Sequence, residues 1–188
     1  MGQRQRFQPQ FQNWSRQYRC IPQHIHYPTD TKAVGEIIQT AVQRGSRIRA
    51  FGAGHSPSDI AMSNEELIVT SQLNRVLRID PSTKTVVVEA GITLNELNQA
   101  LASYGLALPN LGSISAQTLA GAMATATHGT GLNYGVLPTL IRAMTLVTGM
   151  GESVHLSEQE NNRWFKAAQC SLGSLGVVTE LELQVCDA

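Results

Sequence analysis

Residues 47–58 read Arg47-Ile48-Arg49-Ala50-Phe51-Gly52-Ala53-Gly54-His55-Ser56-Pro57-Ser58, and the fold class turns on this stretch. Arg47 to Phe51 has the make-up of a short strand and leads straight into a loop of glycines and small residues. Glycines after a strand let backbone N–H groups close around an anion without side-chain interference. A Rossmann dinucleotide fingerprint would add a third glycine opening a helix, then an acidic residue further on. Pro57 stands where that glycine belongs, and no helical periodicity follows it. The stretch therefore argues against a doubly wound nicotinamide-binding sheet. Taken alone, it reads equally well as an ordinary tight turn.

Outward from this loop, hairpins mix with strand–helix–strand units. Thr31 to Arg44 carries Ala33, Val34, Ile37, Ile38, Ala41 and Val42 on one helical face, with Asp30 as cap and Gly45 as stop. Leu67 to Thr70 reads as a strand. Val76 to Ile79 and Thr85 to Glu89 form a hairpin around Asp80-Pro81-Ser82-Thr83. Thr93 and Glu96 make a capping box that opens a helix running to Tyr104, closed by Gly105. Leu140 to Val147 and Ser153 to Leu156 suggest a second hairpin, followed by a helix over 162–170 and a strand over 177–185. This order predicts an α+β fold. We expect a flexible polar lead over residues 1–12, then one lobe over about 13–105 and another over about 106–188.

Two further segments share the chemistry of the first loop. Ser113 to Gly131, with Thr118, Gly121, Thr125, Ala126, Thr127, His128 and Gly129, consists almost wholly of small or hydroxyl side chains. Such residues admit a flat or extended ligand closely and offer its phosphates hydrogen bonds; tight helix–helix packing is the alternative. Ser171-Leu172-Gly173-Ser174-Leu175-Gly176 repeats the pattern just before a strand. Together the three loops point to a large, extended nucleotide. No Gly-Lys-Ser/Thr is present, so ATP hydrolysis has no support.

Composition narrows the remaining classes. The 188 residues suit one domain or two small lobes, and a formal net charge of zero argues against nucleic acid. Three distant cysteines, Cys20, Cys170 and Cys186, fit neither a disulfide framework nor a metal site and favour a reducing, cytoplasmic compartment. No apolar run approaches the roughly 20 residues of a transmembrane helix. His24, His26 and His155 read as surface or packing residues.

The ordered motifs Phe11-Gln12-Asn13-Trp14, Gly54-His55-Ser56-Pro57-Ser58-Asp59, Leu73-Asn74-Arg75-Val76 and Val88-Glu89-Ala90-Gly91 are joined further on by Gly105 to Gly112, Thr127 to Gly131 and Leu175 to Val178. In this order they resemble the PCMH-type FAD-binding domain of the vanillyl-alcohol-oxidase superfamily, nearest the L-gulonolactone oxidases and other sugar-lactone and alditol oxidases. The resemblance implies a two-lobed α+β fold with FAD extended between the lobes. It assigns Ala50, Phe51, Gly52, Ala53, Gly54 and Ser56 to the pyrophosphate. Ser113, Thr118, Gly121 and Thr125, Ala126, Thr127 and His128 would line flavin and phosphates, with Val178 at the far wall. His55 matches the histidine whose ring nitrogen bonds to the flavin 8α-methyl; the alternative is a histidine that only hydrogen-bonds within its loop. Gly112 matches a position associated with O₂ access, although a turn also calls for glycine there.

The parent reaction implied is hydride transfer from a sugar-lactone or polyol hydroxyl carbon to flavin N5, with reoxidation by O₂ to H₂O₂. The substrate domain of such oxidases has no counterpart in these residues, so no catalytic residue is expected here. FAD binding is expected of the chain, while sugar-lactone or polyol turnover would need that domain. Self-association through the face where it would sit is a further expectation. A non-catalytic FAD module, or a partner-binding domain with no cofactor, are the competing functions.

Overall fold

The computed structural model describes residues 9–188. Residues 1–8 of the expected flexible lead lie outside that range, and its last residues depart from expectation. β1 (Phe11–Gln12) pairs antiparallel with β2 (Arg19–Cys20). Phe11 meets Phe51 edge-on, with ring centroids 5.3 Å apart. This ring contact and the β1–β2 pairing hold the segment on the protein.

A small parallel sheet follows, in which β5 (Glu66–Val69) lies between β3 (His24–His26) and β4 (Ile48–Phe51). α1 (Thr31–Gln43) makes the crossover from β3 to β4. Its start is fixed as expected, the Asp30 carboxylate accepting the Ala33 N–H at 2.8 Å. Val34 and Ile38 are buried against Ile68, Leu73 and Val147. Val147 belongs to the second sheet, so α1 is wedged between the two. Gly35 permits this: a methyl there would lie 2.7 Å from the Gly151 carbonyl oxygen.

The second sheet is antiparallel and built from β6 (Val76–Asp80), β7 (Thr85–Glu89), β9 (Ile141–Val147), β10 (Ser153–Ser157) and β11 (Val177–Gln184). Their order is β10-β9-β11-β7-β6. β8 (Leu106–Ala107) pairs separately with β12 (Cys186–Asp187). α2 (Leu94–Ala102), α3 (Leu119–Ala124) and α4 (Asn162–Ala168) pack Leu97, Leu101, Leu119 and Phe165 into the large core beneath. The Thr93–Glu96 capping box forms as the sequence predicts. At the first hairpin, hydrogen bonds from Ser82 and Thr83 hold the Asp80 carboxyl down at about 2. Among the described residues no helix is long and apolar enough to cross a membrane.

The division between cores differs from the sequence expectation. Gly105, the anticipated boundary, lies within the larger unit, since Leu101 and Leu106 on either side share its core. The chain changes sheets between Val69 and Val76 instead. The reason is that the β6–β7 hairpin pairs through β7 with β11, burying Val86 and Val88.

The residues leaving β7 tie these parts together. Glu89 donates its N–H to Arg75 O, and its buried carboxylate accepts from the Arg75 N–H, Nε and Nη2 at 2.8, 3.1 and 2.6 Å. Ala90 N–H donates to Thr179 O and Gly91 N–H to Leu73 O, both at 2.8 Å. On the far side, Leu119 N–H donates to Ile92 O at 2.7 Å and Ala120 N–H to Ala90 O at 2.9 Å. A methyl on Gly91 would lie 2.0 Å from Thr70 O.

In the small sheet, Glu66 is 1% exposed and its carboxylate meets His26 Nε2 at 2.7 Å and Arg44 Nη1 at 3.1 Å. His26, read from sequence as an unremarkable surface or packing residue, therefore sits in hydrogen-bond contact with a buried acid. Burial pushes the Glu66 carboxyl up, but the hydrogen bonds from His26 and Arg44, with the nearby histidine charges, bring it below its ordinary 4.5.

Two predictions follow from these contacts. Gly91→Ala forces a methyl onto two carbonyls and should lower the unfolding free energy by about 1–3 kcal/mol in urea denaturation; an unchanged midpoint would contradict the close approach. Glu66 holds fewer protons folded than unfolded, so its contribution is complete above the ordinary carboxylate value and fades as pH falls through the folded one. The melting-temperature gap between the native chain and Glu66→Gln should therefore narrow between about pH 6 and about pH 3. A constant gap would show that the carboxylate is not what stabilises this corner.

Candidate functional site

The end of β4 delivers Gly52 to Ser56 to the seam between the two sheets. Facing it is the start of α3, where Thr118 is the N-cap residue and its side chain makes no capping bond. The segment from Ser171 to Gly176, between α4 and β11, closes a third side. All three border one cleft, floored by the apolar side chains of Met123, Ile141, Met144 and Leu181.

Backbone geometry makes this cleft receptive. Among the described residues, the N–H groups from Gly52 to Ser56 donate to no other backbone group. Consecutive free N–H groups of this kind form an anion-binding concavity. Gly54 takes φ +70°, which favours glycine. At Gly52 the facing loops come so near that an added methyl would lie 2.2 Å from Thr118 Oγ1. No side chain fits between them, so the opening is lined by backbone and one hydroxyl. The third segment turns through left-handed residues, Leu172 at φ +54° and Gly173 at +74°, and Leu172 N–H donates to Ala124 O at 3.2 Å.

The residues singled out in the sequence divide into two groups. Ala50, Gly52, Ala53, Gly54, His55 and Ser56 line the cleft, as do Thr118, Gly121, Thr125 and Val178. Phe51 points into the small core, 9% exposed, leaving only its backbone for a ligand. Gly112, Ser113, Ala126, Thr127 and His128 stand beside the cleft rather than in its lining. A methyl on Gly112 would meet Thr127 Cγ2 at 2.8 Å, and His128 Nδ1 lies 2.9 Å from Gly129 O. Gln117, which lines the cleft, joins the two groups by donating to Thr127 Oγ1 at 3.4 Å.

Sequence reading missed Gln117, Gln169 and the apolar pair Ile60 and Ala61, all in the lining. Gln117 falls inside the quoted small-residue segment and could have been noticed as its one long amide. The others lie in segments with no motif of their own.

His55 is the imidazole in this wall. Its Nδ1 is buried and has no hydrogen-bond partner. A buried polar atom without a partner is costly unless something arrives to use it. The cleft thus offers free N–H groups for an anion, an apolar floor for a flat ring and an uncommitted imidazole nitrogen. That combination fits a flavin dinucleotide.

Comparison with known proteins agrees with this geometry. The chain is 42% identical over 179 residues to the L-gulonolactone oxidase of Scyliorhinus torazame, covering 95% of this chain and 41% of that protein. It is 41% identical over 176 residues to the L-gulono-1,4-lactone dehydrogenase of Mycobacterium tuberculosis, covering 94% and 40%. The chain thus spans about two fifths of the length of these relatives. Among solved structures, a chitooligosaccharide oxidase shares the fold with a TM-score of 0.81 at 24% identity, over 90% of this chain and 37% of that one. Residues 22–157, from β3 through β10, match the FAD binding domain family, and the chain belongs to that family.

Proposed function

We propose that this chain holds FAD in the cleft, bonds to it covalently through His55, and acts as the cofactor domain of an enzyme that oxidises a sugar lactone or polyol. The observation that carries the covalent reading is the buried, unpartnered Nδ1 of His55 on the cleft wall. The free N–H groups of Gly52 to Ser56, with Ala50 beside them, would receive the pyrophosphate. Thr118, Gly121 and Thr125 would contact the cofactor from the facing side, and Val178 from β11. Ser113, Thr127 and His128 would reach it from the rim, with Ala126 turning the chain between them at φ +53°.

FAD, when bound, supplies a two-electron acceptor and an 8α-methyl that becomes electrophilic. A neutral imidazole is a competent nucleophile. Attachment would form one N–C bond and break one N–H and one C–H bond, with O₂ taking up the two electrons and two protons as H₂O₂. His55 would give up its ring proton in this exchange and thereafter hold the ring in place.

Lactone chemistry is supported by the relatives at about 40% identity, whose names include both an oxidase and a dehydrogenase of gulonolactone. An O₂-access role for Gly112 would favour the oxidase, and the first contact of an alanine there is the Thr127 methyl. Positioning the substrate belongs to a second domain or subunit. Exposed Leu111, Ile114, Leu132 and Tyr134, on segments that pack side by side, offer that partner, or a second copy, an apolar face.

Acid precipitation tests the covalent bond. After loading with FAD in air, flavin colour should stay with the precipitated native chain and be washed from His55→Ala, which still takes up FAD reversibly. A colourless native pellet, or a coloured His55→Ala pellet, would refute the assignment.

A further inference from the structure

We propose that the Asn13–Trp14 turn is the positioning device for His55, holding its imidazole in the orientation from which it bonds the cofactor. The inference rests on the covalent reading of His55 and adds two residues to it. Trp14 N–H donates to Gly54 O at 2.8 Å, and Asn13 Nδ2 donates to Ser56 O at 3.0 Å. Those carbonyls belong to the residues immediately before and after His55, so its backbone is clamped from both sides by one short turn.

The turn is itself rigid. Asn13 is 2% exposed, and its Oδ1 accepts the Tyr18 N–H at 3.1 Å while its own N–H donates to Tyr18 O at 3.2 Å. The β1–β2 pairing and the Phe11–Phe51 ring contact fasten it to the small sheet.

The Trp14 indole then lies alongside the imidazole, with ring centroids 6.3 Å apart and planes 27° from parallel. Trp14 is 72% exposed, so it contributes little to the core. Its ring contact is with His55. With the backbone held at both neighbours and an indole beside the ring, rotation of the imidazole is restricted and Nδ1 stays at the cleft wall. A nucleophile kept in its attack geometry reacts faster than one free to rotate, and small misplacements are costly.

The bond being positioned is the N–C bond already balanced, with O₂ as oxidant. The test compares total flavin bound with acid-stable flavin over time, after adding FAD in air to the native chain, Trp14→Ala, Trp14→Phe and His55→Ala. Trp14→Ala should keep the native melting temperature and total FAD uptake, yet form acid-stable flavin roughly tenfold more slowly. Trp14→Phe, which restores an aromatic face, should recover most of the native rate. Attachment at the native rate in Trp14→Ala overturns the proposal, as does a loss of total FAD uptake that accounts for the slower rate. Failure of Trp14→Phe to recover the rate overturns it too. A native chain that forms no acid-stable flavin instead defeats the reading of His55, so the two failures are distinguishable.

Discussion

Everything that shapes the cleft depends on the backbone crossing at Gly91, where Thr70 and Leu73 carbonyls come so close that no side chain can be present. Thr70 directly follows the central strand of the small sheet, and Leu73 ends the turn that comes after it. Gly91 lies two residues past the end of β7 of the large one, and Ala90 and Ile92 beside it accept the first N–H groups of α3. One short segment thus fixes three bodies against each other. Gly52, at the end of the neighbouring strand, and Thr118, at the start of α3, are set face to face as a result.

That arrangement explains why small residues recur in the sequence at three distant places. They serve one space. Gly52 and Gly54 bring backbone donors to it, Gly121 and Thr125 keep the facing helix low, and the Ser171–Gly176 segment turns in tightly through left-handed conformations. An apolar floor from Met123, Met144 and Leu181 lies beneath the polar rim. Phosphates and a flat ring are suited to different parts of such a site, which is the distribution a flavin dinucleotide presents.

The features legible in the sequence are those whose chemistry is local. The Asp30 cap, the Thr93–Glu96 capping box and the Asp80 turn each involve residues within a few positions, and all are found where the sequence puts them. The glycine loop after β4 was legible for the same reason. Partition into cores was not, because the β6–β7 hairpin looks the same whichever sheet it joins, and only its pairing with β11 decides. The His26–Glu66 contact spans 40 positions, and Asn13 reaches Ser56 across 43; neither leaves a periodic or spacing signal. Within the small-residue segment Thr118, Gly121 and Thr125 line the cleft, while Gly112, Thr127 and His128 pack on one another at its edge. Small side chains suit both roles, so composition alone does not separate them.

The claim that the cleft bordered by Gly52 and Thr118 is the FAD site is most directly tested by titrating the chain and its Gly52→Val variant with FAD, following flavin fluorescence and visible absorbance. A branched side chain at Gly52 would fall on Thr118. The native chain should bind one FAD per chain with a change in flavin fluorescence, and the variant, folded by circular dichroism, should bind far more weakly. Equal binding by both, or a native chain that takes up no FAD, would contradict the assignment of this cleft.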